Sequence, residues 1–160
     1  MRSQQDARRA IDRYSDLVLR LCMVHLKNAA DTEDVFQNVF LKYVLSSVVF
    51  ENEEHEKAWM IRVTINACKD WLRVLSRRRT TSLEALPTCC AAVEEGHSDV
   101  LEAVLSLPAK YRKVVYLHYY EGYTAAEVGE LLGIKTNTVY TLLTRSKKML
   151  QKTLGGDADA

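Results

Sequence analysis

The sequence has no apolar run of the roughly 18 to 20 residues that a bilayer-spanning helix requires. Its charged start, residues 1–13, also lacks the apolar core of a secretory signal. The two sequence features that direct a chain into or across a membrane are therefore missing. We expect a cytoplasmic protein without membrane insertion.

Metal-binding and redox patterns are missing as well. Cys22, Cys68, Cys89 and Cys90 show no CxxC spacing, and the four histidines form no HExxH motif. We expect no metal site and no disulfide framework, with Cys22 and Cys68 as buried thiols. A redox switch at Cys89 and Cys90 is the alternative to two incidental thiols. The absence of a nucleophile–base pair and of a phosphate-binding loop argues against an enzyme or ligand sensor and predicts no cofactor.

The charge distribution is uneven, although the net charge of the 160-residue chain is only +1. Residues 1–79 carry 14 basic and 11 acidic groups, residues 80–104 carry no basic and five acidic groups, and residues 105–160 carry eight and five. Two basic lobes thus flank an acidic connector. Basic groups on separate lobes suit a protein that contacts nucleic acid at two places.

The first lobe reads as three helices, and no segment alternates as a strand does. Apolar residues at three- and four-residue steps predict a helix over residues 7–27. A second helix is predicted from an N-cap at Asp31 to about Leu45. Residues 46–56 read as a loop, and a third helix is predicted over residues 57–79.

The second lobe follows a segment without an apolar face, residues 80–97, which we expect to be a flexible acidic linker. Ser98 is predicted to cap a short helix to Ser106, and Pro108 to fit the first turn of the next helix, which ends at Gly122. Residues 156–160 are expected to form a disordered tail.

Within the second lobe, one spacing is specific. Thr124 and Glu127 form a capping-box pair for a helix that ends at Gly133, and a final helix begins near Thr136. A helix, a three-residue turn and a second helix make up the DNA-binding helix-turn-helix motif, whose second helix enters the major groove.

Three helix faces carry polar groups without an obvious structural role. A solvated surface is the alternative interpretation of each face. The last helix turns six side chains outward, the third carries a positive stripe with Trp59 at its margin, and the second combines acids and amides with exposed leucines. These sets are Asn137, Tyr140, Thr141, Thr144, Arg145 and Lys148; Arg62, Asn66, Lys69 and Arg73; and Glu33, Asp34, Gln37, Asn38, Leu41 and Leu45. Asparagine and arginine read base edges, Lys147, Lys148 and Lys152 neutralise phosphates, and an amide beside an aromatic ring suits an unpaired base.

Three segments carry a family resemblance: DTEDVFQNVF (31–40), AWMIRVTINACKDWLR (58–73) and LPAKYRKVVYLHYYEGYTAAEVGELLGIKTNTVYTLLTRSKKML (107–150). In order and spacing they resemble the extracytoplasmic-function sigma factors of the sigma-70 family. The resemblance covers nearly the whole chain apart from the linker and the tail. It implies an all-α protein with a three-helix region 2 (1–79), a linker (80–97) and a helix-turn-helix region 4 (98–155).

The resemblance also implies a function: a non-catalytic factor that binds core RNA polymerase, recognises the upstream (minus-35) promoter element and opens the downstream (minus-10) element. The resemblance also implies an anti-sigma factor as a further partner, because many members of the family are held inactive by one. Departures occur at Tyr140 and Leu142, where many members carry basic residues, and the loop 46–50 is unusually apolar.

The implied site residues fall into three groups. Asp31, Glu33, Asp34, Gln37 and Asn38, with Leu41 beside them, match the polymerase-docking segment. Asn66 and Lys69 match positions that face the separated non-template strand, with Trp59, Arg62 and Arg73 on the same stripe and the loop 46–56 selecting an extruded base. The major-groove helix spans 136–148: Thr136, Asn137, Thr138, Tyr140, Thr141, Thr144, Arg145, Lys147 and Lys148.

Two other functions are compatible with parts of the sequence. A helix-turn-helix regulator that acts without core polymerase would use the second lobe alone. An interaction protein without DNA binding would use neither basic face, and its affinity for promoter DNA would not fall steeply with added salt.

Overall fold

The computed structural model describes residues 1–78 and 99–155, which form two compact all-α units, one on each side of the segment between them. The predicted linker with Cys89 and Cys90, the Ser98 cap and the predicted tail 156–160 lie outside the described residues. The first unit contains α1 (Gln4–Leu26), α2 (Ala29–Leu45) and α3 (Glu53–Arg78). The second contains α4 (Asp99–Leu105), α5 (Ala109–Val115), α6 (Ala125–Leu132) and α7 (Thr136–Gly155).

In the first unit each helix packs against the other two. The predicted apolar stripes form the shared core, since burying a continuous apolar face is what stabilises so small a helical unit. Cys22 and Cys68 are buried free thiols, as predicted. Leu72 lies at the same helical spacing as Ile61, Ile65 and Cys68, which predicts a buried side chain, but it is 37% exposed. The core residues include Leu17, Val18, Leu21, Val35, Val39, Tyr43, Ile61 and Ile65.

All three predicted helix starts in the first unit were too late, because side-chain caps lie further upstream. Ser3 Oγ accepts a 3.0 Å hydrogen bond from Asp6 N and begins α1. Asn28, not Asp31, caps α2, with its Oδ1 2.9 Å from Asp31 N. Asn52 Oδ1 accepts from His55 N at 2.8 Å, so α3 begins at Glu53. Three glutamates from the predicted loop, Glu53, Glu54 and Glu56, instead lie in its first turn, where negative charge is favourable.

In the second unit, α7 packs against α4, α5 and α6. Pro108 directly precedes α5, as its missing N–H allows. The predicted single helix to Gly122 is interrupted, because residues Tyr116–Tyr120 form a π-helical turn. Gly122, which follows this turn, adopts the left-handed conformation with φ +83°. Val114, Leu117, Val128, Val139 and Leu143 form the centre of this core.

Candidate polymerase and nucleic-acid interfaces

The turn between α6 and α7 is fixed by side-chain and backbone hydrogen bonds. Glu127 N donates to Thr124 Oγ1 at 3.2 Å, and Thr124 N donates to Glu127 Oε1 at 2.9 Å, which completes the predicted capping box. Gly133, at which the helix was predicted to end, adopts the left-handed conformation with φ +75°. The amides of Gly133 and Ile134 both donate to Gly129 O, at 2.8 and 2.9 Å. These bonds set where α7 begins.

Gly129 has a structural role that the sequence analysis missed. A Cβ at this position would lie 2.7 Å from the carbonyl oxygen of Ile134, closer than real Cβ contacts. The turn therefore packs directly on the backbone of α6, and only glycine leaves the space. The signal in the sequence was a glycine inside an otherwise regular helix, which often marks a close backbone approach.

The outward face of α7 is exposed as predicted. Asn137, Tyr140, Thr141, Thr144, Arg145 and Lys148 are all exposed, as are Thr138 and Lys147, whereas Thr136 is half-buried. The side chain of Tyr140 is 59% exposed. Val139, Leu143 and Ser146 face the core, and Leu142, at one of the departures from the family pattern, is half-buried. Within the described residues, Arg145, Lys147 and Lys148 form no ion pair.

Two threonine hydroxyls on this face already have partners within the helix. Thr141 Oγ1 donates to Asn137 O at 3.1 Å, and Thr144 Oγ1 donates to Tyr140 O at 3.0 Å. Their remaining lone pairs and their methyl groups are left for an external contact. A hydroxyl held in this way can still accept a hydrogen bond from a donor on a base, and its methyl group can pack on a thymine methyl.

The positive stripe on α3 is present, but its charges are not equivalent. Arg62, Asn66 and Lys69 are exposed. Arg73 Nη2 lies 3.4 Å from Asp70 Oδ1, and both side chains are more than 60% exposed. This pair reduces the positive charge at the C-terminal end of the stripe, although an exposed ion pair is weak enough for a phosphate to replace it.

Trp59 lies at the start of the stripe and is half-buried. Its ring centroid lies 5.9 Å from that of Tyr43 and 5.6 Å from that of Phe50, both in edge-on arrangements. The sequence predicts an aromatic ring at the margin of the stripe, but no local pattern indicates these two neighbours. Trp59 therefore joins the end of α2, the loop before α3 and the stripe itself.

The predicted face of α2 is also exposed. Glu33, Asp34, Gln37 and Asn38 are exposed, and Leu41 and Leu45 are 55% and 61% exposed. Asp31 is half-buried in the first turn. Two large apolar side chains beside a row of acids and amides form a surface suited to a protein partner rather than to DNA.

Comparison with protein families assigns both units. Residues 10–78 match the model of "Sigma-70 region 2", and residues 97–150 match "Sigma-70, region 4". The two matches follow each other in the order expected for one factor and together cover most of the chain. The chain belongs to the extracytoplasmic-function sigma factors of the sigma-70 family.

Curated relatives agree with this assignment. The chain is 28% identical to the RNA polymerase sigma factor SigV of Bacillus subtilis over 134 residues, which is 82% of this chain and 81% of the relative. It is 27% identical to SigW of the same organism over 163 residues, 90% of this chain and 86% of that one.

Solved structures share the fold. The sigma factor RpoE of Bartonella quintana, solved with the anti-sigma factor NepR, has a TM-score of 0.76 at 17% identity and covers 94% of this chain and 98% of its own. CnrH, solved with the cytosolic domain of CnrY, has a TM-score of 0.60 at 18% identity, with 99% and 92% covered.

The family membership establishes the activity. This sigma factor binds core RNA polymerase and directs it to promoters, as a non-catalytic subunit. The predicted alternative of a regulator that acts without polymerase is wrong, because region 2 is present beside the helix-turn-helix. In the described part of the chain, no helix is both long and apolar enough to cross a membrane.

Proposed function

We propose that this sigma factor contacts its partners through three separate surfaces. The exposed face of α2 docks on core polymerase, the stripe on α3 with the loop before it engages the separated strand of the minus-10 element, and the exposed face of α7 reads the minus-35 element. The three sets are Asp31, Glu33, Asp34, Gln37, Asn38 and Leu41; Trp59, Arg62, Asn66, Lys69 and Arg73; and Thr136, Asn137, Thr138, Tyr140, Thr141, Thr144, Arg145, Lys147 and Lys148.

The observation that carries the proposal is the outward face of α7. Asn137, Tyr140 and Arg145 are exposed on one helix, and the turn that orients this helix is fixed by the hydrogen bonds to Gly129. Polar groups held on a rigid helix are what direct readout of base edges needs. Tyr140 replaces a basic residue that many members carry, so we expect fewer phosphate contacts and more base or methyl contacts here.

The division of labour between α2 and α3 rests on their chemistry. The α2 face is acidic and apolar, and an acidic face repels the phosphate backbone, which makes a protein the favoured partner. The α3 stripe is basic and carries an amide and an aromatic ring, and such groups hold unstacked bases. The helix-turn-helix contacts duplex DNA, so the two units meet different forms of the same promoter.

Reconstitution with core polymerase tests this division. Run-off transcription over a genomic promoter pool should give specific products only when the sigma factor is present. Asp34→Ala should weaken core binding and leave binding of the minus-35 duplex unchanged. Asp12→Ala, which removes an exposed acid from α1, is the matched control. Equal core affinity for both variants would contradict the assignment of the α2 face.

Salt dependence tests the contact with DNA. The logarithm of the promoter affinity should fall with the logarithm of the salt concentration by about 0.9 per phosphate contacted. A salt-independent affinity would contradict contacts by Arg145, Lys147 and Lys148.

We further propose that an anti-sigma factor controls this protein in the cytoplasm, where polymerase and chromosome are found. The sigma factor RpoE of Bartonella quintana, which shares the fold, was solved with the anti-sigma factor NepR. Protein that co-purifies with the chain from its own host should, when added back, abolish run-off transcription. Transcription that is unaffected by every co-purifying protein would contradict this.

A further inference from the structure

Arg2 lies beside the loop that joins α2 to α3 and bonds to it through both backbone and side chain. Its backbone N donates to Val44 O at 2.9 Å, and its Nε donates to Tyr43 O at 3.0 Å. Its Nη2 donates to the carbonyl oxygen of Val48. One side chain thus connects the last turn of α2 to the middle of the loop.

The same guanidinium contacts two aromatic rings. Its carbon lies 4.5 Å from the ring centroid of Tyr43 and 5.0 Å from that of Phe50. These two rings are almost parallel, at 7°, with centroids 6.4 Å apart. Arginine is suited to this place, because its planar group stacks on rings while its N–H groups reach carbonyls in fixed directions.

The far end of the loop has further contacts of its own, in addition to the contact between Arg2 and the Phe50 ring. Phe50 packs edge-on against His55 at 5.2 Å, and Glu51 N donates to His55 Nδ1 at 3.1 Å. Asn52 caps α3. Between these anchors and the Val48 carbonyl, the side chain of Val49 is 85% exposed. The apolar side chain of Val49 is thus uncovered on a segment that is held on both sides, where a partner can reach it.

We propose that Arg2 is a positioning residue for promoter recognition: it holds the segment Val48 to Phe50 so that Val49 faces the base extruded from the minus-10 element. The inference rests on the proposed role of the loop in selecting that base. Arg2 itself touches no DNA in this arrangement. It acts by fixing the loop conformation, and binding by a preorganised loop avoids the cost of ordering it on the promoter.

The experiment compares Arg2→Ala, Arg2→Lys and the control Arg8→Ala in the reconstituted holoenzyme. Arg8 is an exposed arginine of the same helix unit. Transcription is measured on a promoter library with all four bases at each minus-10 position. Core binding, minus-35 binding and thermal unfolding are measured in parallel, and hydrogen exchange of the loop amides is measured on the full chain.

Arg2→Ala should reduce the preference for the favoured base at one minus-10 position by at least about fivefold and raise loop exchange, because several contacts to the loop are lost together. Core and minus-35 binding should stay unchanged. Arg2→Lys should behave like Arg2→Ala, since an ammonium group has no planar face to stack on the two rings while it donates to the Tyr43 and Val48 carbonyls. Arg8→Ala should behave as wild type.

Three results would overturn the inference. The first is an unchanged base preference in Arg2→Ala, and the second is a general loss of core binding and stability in that variant. The third is wild-type behaviour of Arg2→Lys, which would show that only the positive charge of Arg2 matters. Asn66→Ala separates this inference from the proposed function. If Asn66→Ala impairs opening while Arg2→Ala changes nothing, the role of Arg2 fails alone. If the wild type has no base preference and Asn66→Ala opens the promoter normally, the proposed contact of the first unit with the minus-10 element is wrong, and the role of Arg2 is wrong as well.

Discussion

The hydroxyl of Tyr14 on α1 donates a 3.0 Å hydrogen bond to the carboxylate of Glu56 on α3, inside the first unit. Tyr43 on α2 donates to the other carboxylate oxygen at 2.8 Å, so one side chain joins all three helices. Glu56 is only 4% exposed, and Arg9 Nη2 lies 3.5 Å from it. The guanidinium of Arg2 stacks on the ring of Tyr43. The network around Glu56 therefore fixes one of the rings on which Arg2 packs beside the loop between α2 and α3.

The network predicts a loss of stability at high pH. Burial and the bond to Glu56 raise the pKa of Tyr14 from 10.0 to about 12, because a phenolate beside this carboxylate is unfavourable. Burial also raises the pKa of Tyr43. A pKa raised on folding contributes stability that is complete below about pH 10 and is lost as the pH rises toward 12. The free energy of unfolding should therefore fall across this range.

Urea unfolding followed by tryptophan fluorescence measures this, because both tryptophans, Trp59 and Trp71, lie in the first unit. Tyr14→Phe removes the titrating group and should give a shallower decrease between pH 10 and 12 than the wild type. The remaining slope should come from Tyr43, whose pKa is also raised by burial. Identical slopes for the two proteins would show that Tyr14 titrates normally.

Asn66→Ala should impair promoter opening without affecting core binding. The exposed amide of Asn66 lies on the α3 stripe between Arg62 and Lys69. Its removal would take a hydrogen-bonding partner from an unpaired base. Permanganate reactivity of thymines in the open region should decrease, while binding to the minus-35 duplex stays constant. Gln5→Ala, an exposed amide on α1, is the control. Wild-type permanganate reactivity in Asn66→Ala would remove this residue from the site.

Arg145→Ala should weaken binding to the minus-35 element. The expected loss is about 1 to 3 kcal/mol if Arg145 reads a base, and less if it contacts phosphate only. Fluorescence anisotropy with a labelled promoter duplex measures the affinity of the holoenzyme. Lys110→Ala removes an exposed positive charge from the same unit outside α7 and should leave the affinity unchanged. Equal losses in both variants would indicate a non-specific charge effect.

Gly129→Ala should destabilise the second unit by about 1 to 3 kcal/mol, because the added methyl group meets the Ile134 carbonyl and the turn must move. Helix propensity alone would predict the opposite, a gain of about 1 kcal/mol. Urea unfolding followed by circular dichroism decides between them, with the tryptophan signal of the first unit as an internal reference. Ala126→Ser, an exposed position on α6, is the control. A more stable Gly129→Ala protein would show that the turn yields easily.

The helix faces could be predicted from the sequence because they depend on periodicity. Val139, Leu143 and Ser146 had to turn inward together, so Tyr140 and Arg145 had to turn outward. The capping box at Thr124 and the left-handed Gly133 are local features that neighbouring residues determine. The assignment of both units to one family also followed from motifs that are contiguous in the chain.

The contacts that depend on residues distant in the chain were decided by the tertiary structure alone. Glu56 was read as part of a polar loop, because its two tyrosine partners are 42 and 13 residues away. Arg2 could not be connected with Val48, 46 residues later, by any local pattern. The cap at Asn52 also went unnoticed, since the four glutamates around it are polar whether they lie in a loop or in a first turn. Periodicity determines which face of a helix is buried, but packing determines which polar groups meet.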